Sequence, residues 1–356
     1  MNKLKNIQPV IGILAQSEFH KELYNHCAIV SKFYDCEVFY FSNSNIDSSN
    51  DLIKGKTFQN GRWIWKDYSL SNGIDVIFDR LRTASSPKYK HVYDKIKHIP
   101  TTHPNFGQKM NKLTFYDKFY EEGTLLENII PYERFLSTKA TLNFLEKHRN
   151  IILKPQSSSG GKNLYYIYFN DKNIEVALEK SIISYSSEEF SKWLDNLSGR
   201  DNYVLQKFIP SKTLDNHPFD IRVHMIRNIN NEWEFLAIVP RVGHDIAKIS
   251  MLSNGGYIGQ WKGFVSRNFS KENYKKINRN IREISLKSVK VMEKVFDSKI
   301  TEVGIDFVIN KDNSIYFVEY NVNKPAEFYA GFDLALNGIG YARYIALNAT
   351  EEDYIL

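Results

Sequence analysis

The chain has 356 residues, with 47 Lys and Arg against 41 Asp and Glu, a formal net charge of +6, and 42% hydrophobic residues. That length exceeds one small core and suits an enzyme of two or three packed subdomains, while basic residues scattered along the chain do not form the arm or stripe expected of a nucleic-acid binder. Cys27 and Cys36 lack the spacing of a disulfide framework or zinc site, no run approaches the roughly 20 apolar residues of a membrane helix, and the N-terminus has no signal-peptide core, so a soluble cytoplasmic protein is expected.

Three short apolar runs come first: Pro9 to Leu14, Cys36 to Phe41 and Ile74 to Arg80. Separated by helix-length segments, they predict an α/β layer over roughly residues 1–105, with Gly55 to Trp65 as a hairpin excursion around Gly61. Residues 110–150 read as helical, interrupted near Gly123 and Pro131, and lead into a buried strand, Ile151-Ile152-Leu153-Lys154-Pro155. Strand-like stretches follow at Tyr203–Ile209, Ile221–Ile226, Trp233–Val239, Gly304–Ile309 and Ile315–Tyr320, with helical spacing over Lys271–Phe296.

Three of these segments carry chemistry. The strand ending in Lys154 delivers a cation, and Gln156-Ser157-Ser158-Ser159-Gly160-Gly161-Lys162 follows, a run whose backbone N–H groups could wrap phosphate oxygens; without a P-loop pattern, a plain surface loop is an equal reading. In Phe219-Asp220-Ile221-Arg222-Val223-His224, Arg222 and His224 share one face of a strand while Ile221 and Val223 face a core, and Arg241 on the next strand could join Arg222 in clamping a phosphoryl group. A single strand arginine is otherwise a surface ion-pair partner. In the hairpin Gly304–Tyr320, Glu319 and Asn321 share a face and the partner strand can bring Asp306 beside them; two carboxylates and an amide oxygen suit Mg²⁺ held together with a nucleotide. An isolated polar hairpin face would be the blander account, but a carboxylate at the end of the buried run Ile315-Tyr316-Phe317-Val318 needs a partner or an ion.

In order, these segments resemble the ATP-grasp superfamily and, within it, the YheC/YheD branch of endospore coat-associated proteins. The resemblance covers nearly the whole chain: Ile11 to Leu14, Trp63 after Gly61, Asp75 to Arg80, Asn105 to Lys112, Phe219 to Val223, Arg241-Val242-Gly243 and Asn254-Gly255-Gly256. It implies an α/β (α+β) ATP-grasp fold with an N-terminal α/β domain at 1–108 and two α+β subdomains at 109–208 and 209–356 that clasp ATP. Lys112 and Lys154 match the lysines on the ATP phosphates, and Gln156 to Lys162, with Ser158, Ser159, Gly160 and Gly161, match the lid. Gln206, Lys207, Phe208 and Ile209 match the hinge that reads adenine, with Gln206 where many relatives have Glu. Asp306, Glu319 and Asn321 match ligands of Mg²⁺ or Mn²⁺, and Arg222 and Arg241 match catalytic arginines near the γ-phosphate.

The implied activity is carboxylate–amine ligation: a carboxylate attacks the γ-phosphate, and an amine then attacks the acylphosphate. The acceptor surface is expected around Asp79-Arg80 and the Asn254-Gly255-Gly256 loop, with association with the spore coat as a further implication. No nucleic acid or membrane partner is expected. A kinase on the same grasp and a non-catalytic coat protein are the rival readings; the retained charged set argues against the latter.

Overall fold

The computed structural model describes residues 8–15, 21–81, 87–103, 110–157, 163–170, 172–178, 181–197, 202–243, 256–296, 299–323 and 331–349. The first six strands are β1 (Val10–Leu14), β2 (Glu37–Phe41), β3 (Ile46–Asp47), β4 (Leu52–Gln59), β5 (Arg62–Ser69) and β6 (Val76–Asp79), ordered β3-β4-β2-β1-β6 with β5 paired to β4. β1 runs parallel to β2 and β6, and such strands are apolar throughout because both faces are covered. On one face Ile11, Ile13 and Phe78 pack with Tyr24 and Cys27 of helix α1 (Lys21–Phe33); on the other Leu14 and Ile77 pack with Val92 and Ile96 of α2 (Lys90–Ile96). The expected excursion is the β4–β5 hairpin, turned by Asn60 and Gly61 with φ of 50° and 78°, the left-handed pair that a two-residue hairpin loop requires. Gly55 lets the hairpin lie on Phe39, since a Cβ there would fall 2.2 Å from the ring.

Helix α3 (Lys112–Glu122) stops at Gly123, whose φ is 81°. The second sheet comprises β7 (Tyr132–Arg134), β8 (Asn150–Pro155), β9 (Tyr165–Phe169), β10 (Ile174–Leu178), β11 (Ser181–Tyr185) and β12 (Tyr203–Lys207), ordered β11-β10-β9-β8-β12-β7 and antiparallel at every pairing. Helices α4 (Thr138–His148) and α5 (Ser187–Asp195) cover it through Phe144, Leu145, Phe190 and Leu194.

The third sheet holds β13 (Phe219–Arg227), β14 (Trp233–Val242), β15 (Tyr257–Ile258), β16 (Glu302–Ile309) and β17 (Ile315–Val322), ordered β15-β14-β13-β16-β17. Between β15 and β16 lie α6 (Trp261–Asn268) and α7 (Lys271–Val295). Ile221, Val223, Ile305 and Phe307 turn one face of the sheet onto Ile277, Ile281 and Met292 of α7 and onto Phe115 and Phe119 of α3. The basic excess is not scattered as expected: α7 carries eight Lys and Arg against three Glu, with Lys275, Arg279, Arg282, Lys287, Lys290 and Lys294 all exposed.

The last helix, α8 (Gly331–Asn348), leaves this sheet and returns to the first. Leu334, Ala335, Ile339 and Ala342 pack with α1 and β6 and with Ile226 and Leu236 of the third sheet, so α8 is wedged between the two. Gly338 permits the approach, because a Cβ there would sit 2.5 Å from the Phe78 ring. Among the described residues no helix is long and apolar enough to cross a membrane.

Candidate active site

The polar face of the third sheet is built by register. In β16 and β17, Asp306 stands opposite Glu319 and Gly304 opposite Asn321, as the hairpin geometry predicts. The register shifts between Asp306 and Phe307, so Val318 is the extra residue of a β-bulge. This bulge explains how Ile315 and Phe317 face the core while Glu319 and Asn321, of the same parity in sequence, face the opposite side. Tyr320 turns inward instead and stacks on Phe115 at 3.7 Å between ring centroids.

Four charged side chains line this face beside the bulge. Arg222 donates from Nε and Nη2 to the two oxygens of Asp306, the second contact at 2.8 Å. Arg241 donates from Nε and Nη2 to the two oxygens of Asp220, both at 2.7 Å, and its Nη2 also lies 3.1 Å from Asp306 Oδ1. Burial alone would raise the Asp306 pKa, but Arg241 and Arg222 reverse this and hold its carboxyl below the ordinary value. Glu319 shifts the other way: burial and the neighbouring Asp306 push its pKa up, against Lys112, Lys154 and Arg222. The Glu319 carboxylate and the Asn321 amide have no hydrogen-bond or ion-pair partner among the described residues.

Opposite stand the lysines. Lys154, next to the last residue of β8, is 5% exposed and donates from Nζ to the Tyr116 hydroxyl and to Gln206 Oε1, each at 2.7 Å. Burial pushes its pKa down to about 8, with Glu319 pulling the other way. Lys112 is the first residue of α3, where the Asn111 side chain caps the helix by accepting from the Thr114 N–H and the Lys112 N–H donates to the Gln156 carbonyl. Burial lowers the Lys112 pKa too, Glu319 raises it, and Lys154 as a like charge lowers it. Gln206 is 2% exposed and its Nε2 meets no partner among the described residues. The N–H groups of Lys207 and Phe208 are taken by Pro131 and Asn150 carbonyls, and Phe208 meets Tyr166 edge-on. Ile209 closes the segment, 5% exposed.

Sequence reasoning missed Tyr116. It sits one helical turn after Lys112, accepts from Lys154, and donates to the Val318 carbonyl that the bulge leaves outside the ladder, at 2.8 Å; the i, i+4 spacing from Lys112 was the available signal. Ser158, Ser159, Gly160, Gly161 and Lys162 of the expected lid, Asn254 and Gly255, and Asn105 to Lys109 lie outside the described residues.

Asp79 and Arg80 do not form an open acceptor surface. Both are buried, Tyr93 donates to Asp79, and Arg80 donates to Glu302 at 2.7 Å. His103 and His224 also meet Glu302, at 3.0 and 2.9 Å. Burial would raise the Glu302 pKa, but Arg80 and the two histidines hold it well below the ordinary value. His224 thus shares its strand face with Arg222 as expected but serves this internal cluster.

The profile described as YheC/D like ATP-grasp matches residues 100–334, well over half of the chain. The chain belongs to the YheC/D-like ATP-grasp family. It is 20% identical over 324 residues to the endospore coat-associated protein YheC of Bacillus subtilis strain 168, covering 88% of each chain. To YheD of the same organism it is 20% identical over 296 residues, covering 80% of this chain and 63% of YheD. Among solved structures, an N5-carboxyaminoimidazole ribonucleotide synthetase in its ADP complex aligns with a TM-score of 0.50 and 11% identity, covering 95% of this chain and 79% of that one, a likeness of fold. For this YheC/D-like chain the α/β ATP-grasp architecture expected from sequence is therefore established.

Proposed function

We propose that this chain is an ATP-dependent ligase that joins a carboxylate to an amine through an acylphosphate, releasing ADP and phosphate. The observation that carries the reading is the pairing, across one site of an ATP-grasp protein, of the buried Lys154 and half-buried Lys112 on one side with Glu319 and Asn321, unpartnered among the described residues, and the Arg222–Arg241 pair on the other. Relatives by name support it: a glutathione synthetase of Wigglesworthia glossinidia brevipalpis is 25% identical over 154 residues, 40% of this chain and 45% of that one.

The residues suit a divalent cation and a triphosphate. Among the described residues the Glu319 and Asn321 oxygens have no partner and Asp306 adjoins them, yet no group of three His, Cys, Asp or Glu side chains there could hold a metal. The nucleotide phosphates would complete the shell, as is usual for Mg²⁺. When bound, the cation would neutralise phosphate charge at the transferring group. Lys112 and Lys154 would hold phosphate oxygens, and a phosphate would add counter-charge directly at Lys154, which Glu319 alone does not restore to its ordinary pKa. Arg222 and Arg241 would face the terminal phosphate, with charge stabilisation in place before reaction. Gln206 to Ile209 would line the adenine, and the orphaned Gln206 Nε2 offers it a donor.

The test is ADP release against a panel of amino acids and small carboxylates with amine acceptors. A ligase gives full turnover only when both are present. ADP release with a hydroxyl acceptor alone and a phosphorylated product overturns this reading in favour of a kinase.

A further inference from the structure

Arg241 is held at more places than its proposed contact with phosphate needs. Asp220 and Arg241 stand opposite each other in the β13–β14 register, and the planar guanidinium meets both Asp220 oxygens with its Nε and Nη2 edge. Its Nη2 then touches Asp306, which is gripped in turn by Arg222. Asp220, Arg241, Asp306 and Arg222 therefore alternate in sign along one sheet face. The Nη1 edge of Arg241 donates to no acceptor among the described residues.

A lone carboxylate beside a phosphate-binding arginine should weaken anion binding, since it cancels the cation and repels the phosphate. A paired, fork-like contact does something else: it fixes the plane of a guanidinium on a long flexible stem. We propose that Asp220 is the positioning residue for Arg241, holding its guanidinium so that the Nη1 edge meets the terminal phosphate of a nucleoside triphosphate. The inference rests on the ligase reading. Asp220 thus trades raw affinity for discrimination: a diphosphate, which lacks the terminal group, gains nothing from the fixed edge and still meets the carboxylate's charge.

The experiment is calorimetric titration of the full chain with Mg²⁺-ADP and with Mg²⁺-AMP-PNP, a non-hydrolysable triphosphate analogue, reading the ratio of the two dissociation constants. Asp220→Asn should lower the preference for AMP-PNP about tenfold, with ADP affinity unchanged or better. Arg241→Met should lower it similarly, and the double variant should show no further loss, because both changes remove one contact. A scaffold role would instead weaken both nucleotides in proportion. Asp220→Glu keeps the charge but displaces the fork, so it should retain the melting temperature and still lose part of the preference; it decides the matter if Asp220→Asn does not fold. An unchanged ratio in the folded variants overturns the inference while leaving the ligase reading intact. If the unmodified chain binds neither nucleotide, the ligase reading falls and the inference with it.

Discussion

Lys154, proposed here to hold phosphate, works against its own fold. Its ammonium is buried and donates to the neutral Tyr116 hydroxyl and Gln206 amide, and burial outweighs the pull of Glu319, so its pKa falls to about 8. The folded state then binds fewer protons than the unfolded chain between pH 8 and the ordinary lysine value near 10.4, and stability should rise with pH across that window. Lys154→Met should flatten this rise and stabilise the nucleotide-free protein at neutral pH, while abolishing its stabilisation by ATP and Mg²⁺. Melting curves from pH 7 to 10 check both parts. In the unmodified protein ATP at a hundredfold excess over its dissociation constant should stabilise by about 2.7 kcal/mol. Because a phosphate beside Lys154 restores its charge, binding near pH 8.5 should take up a proton, visible as a buffer-dependent calorimetric heat. Glu319→Gln keeps the shape but removes the unpaired carboxylate. Mn²⁺ should then cease to tighten nucleotide binding, while metal-free binding is kept or slightly improved; a metal effect of unchanged size would exclude Glu319 as a ligand.

The elements were unequally legible. Strands with continuous apolar runs, such as Ile151 to Pro155 and Ile315 to Tyr320, stood out because burial on one or both faces writes itself into composition. β9 to β11 went unread: Ser181–Tyr185 is exposed at nearly every position and presents no periodic face. α8 was also missed, its pattern diluted by Gly338 and Gly340 and two asparagines. Strand alternation put Glu319 and Asn321 on one face, as the register has them, but alternation alone would also have put Phe317 beside Glu319. Only the bulge at Val318 separates them, and a single-residue register shift leaves no mark in the sequence. Deleting Val318 should restore plain alternation with Phe317 still in the core and Glu319 and Asn321 still on the polar face, so a folded deletion variant should keep metal-dependent nucleotide binding, and its loss would show that the bulge does more than set the face. The arginine pairings were hidden for another reason: which carboxylate an arginine meets depends on the registers of β13 with its neighbour β14 and with β16, which is distant in sequence. At the start of α3, Asn111→Ala removes the cap beside Lys112 and should cost about 1 kcal/mol, with a parallel loss of nucleotide affinity as the first turn frays.

At the scale of the whole molecule, Glu302 joins the first sheet to the third. It is wholly buried and meets Arg80, His103 and His224, so Glu302→Ala strands a buried guanidinium and should destabilise by about 3–5 kcal/mol. Chemical denaturation should show this as a lower midpoint with the slope retained, whereas Glu283→Ala on the exposed side of α7 should change little. The wedged position of α8 also has a consequence in time. β6 ends at Asp79 and α8 begins at Gly331, so about 250 residues separate the first sheet from the helix that covers one of its faces. At 5–20 residues per second, a ribosome makes that stretch in roughly 10–50 s. For that interval the nascent first sheet holds Phe78 and its apolar neighbours without their lid, and a chain stalled before Gly331 should be captured by chaperones through its N-terminal third, far from the truncation itself.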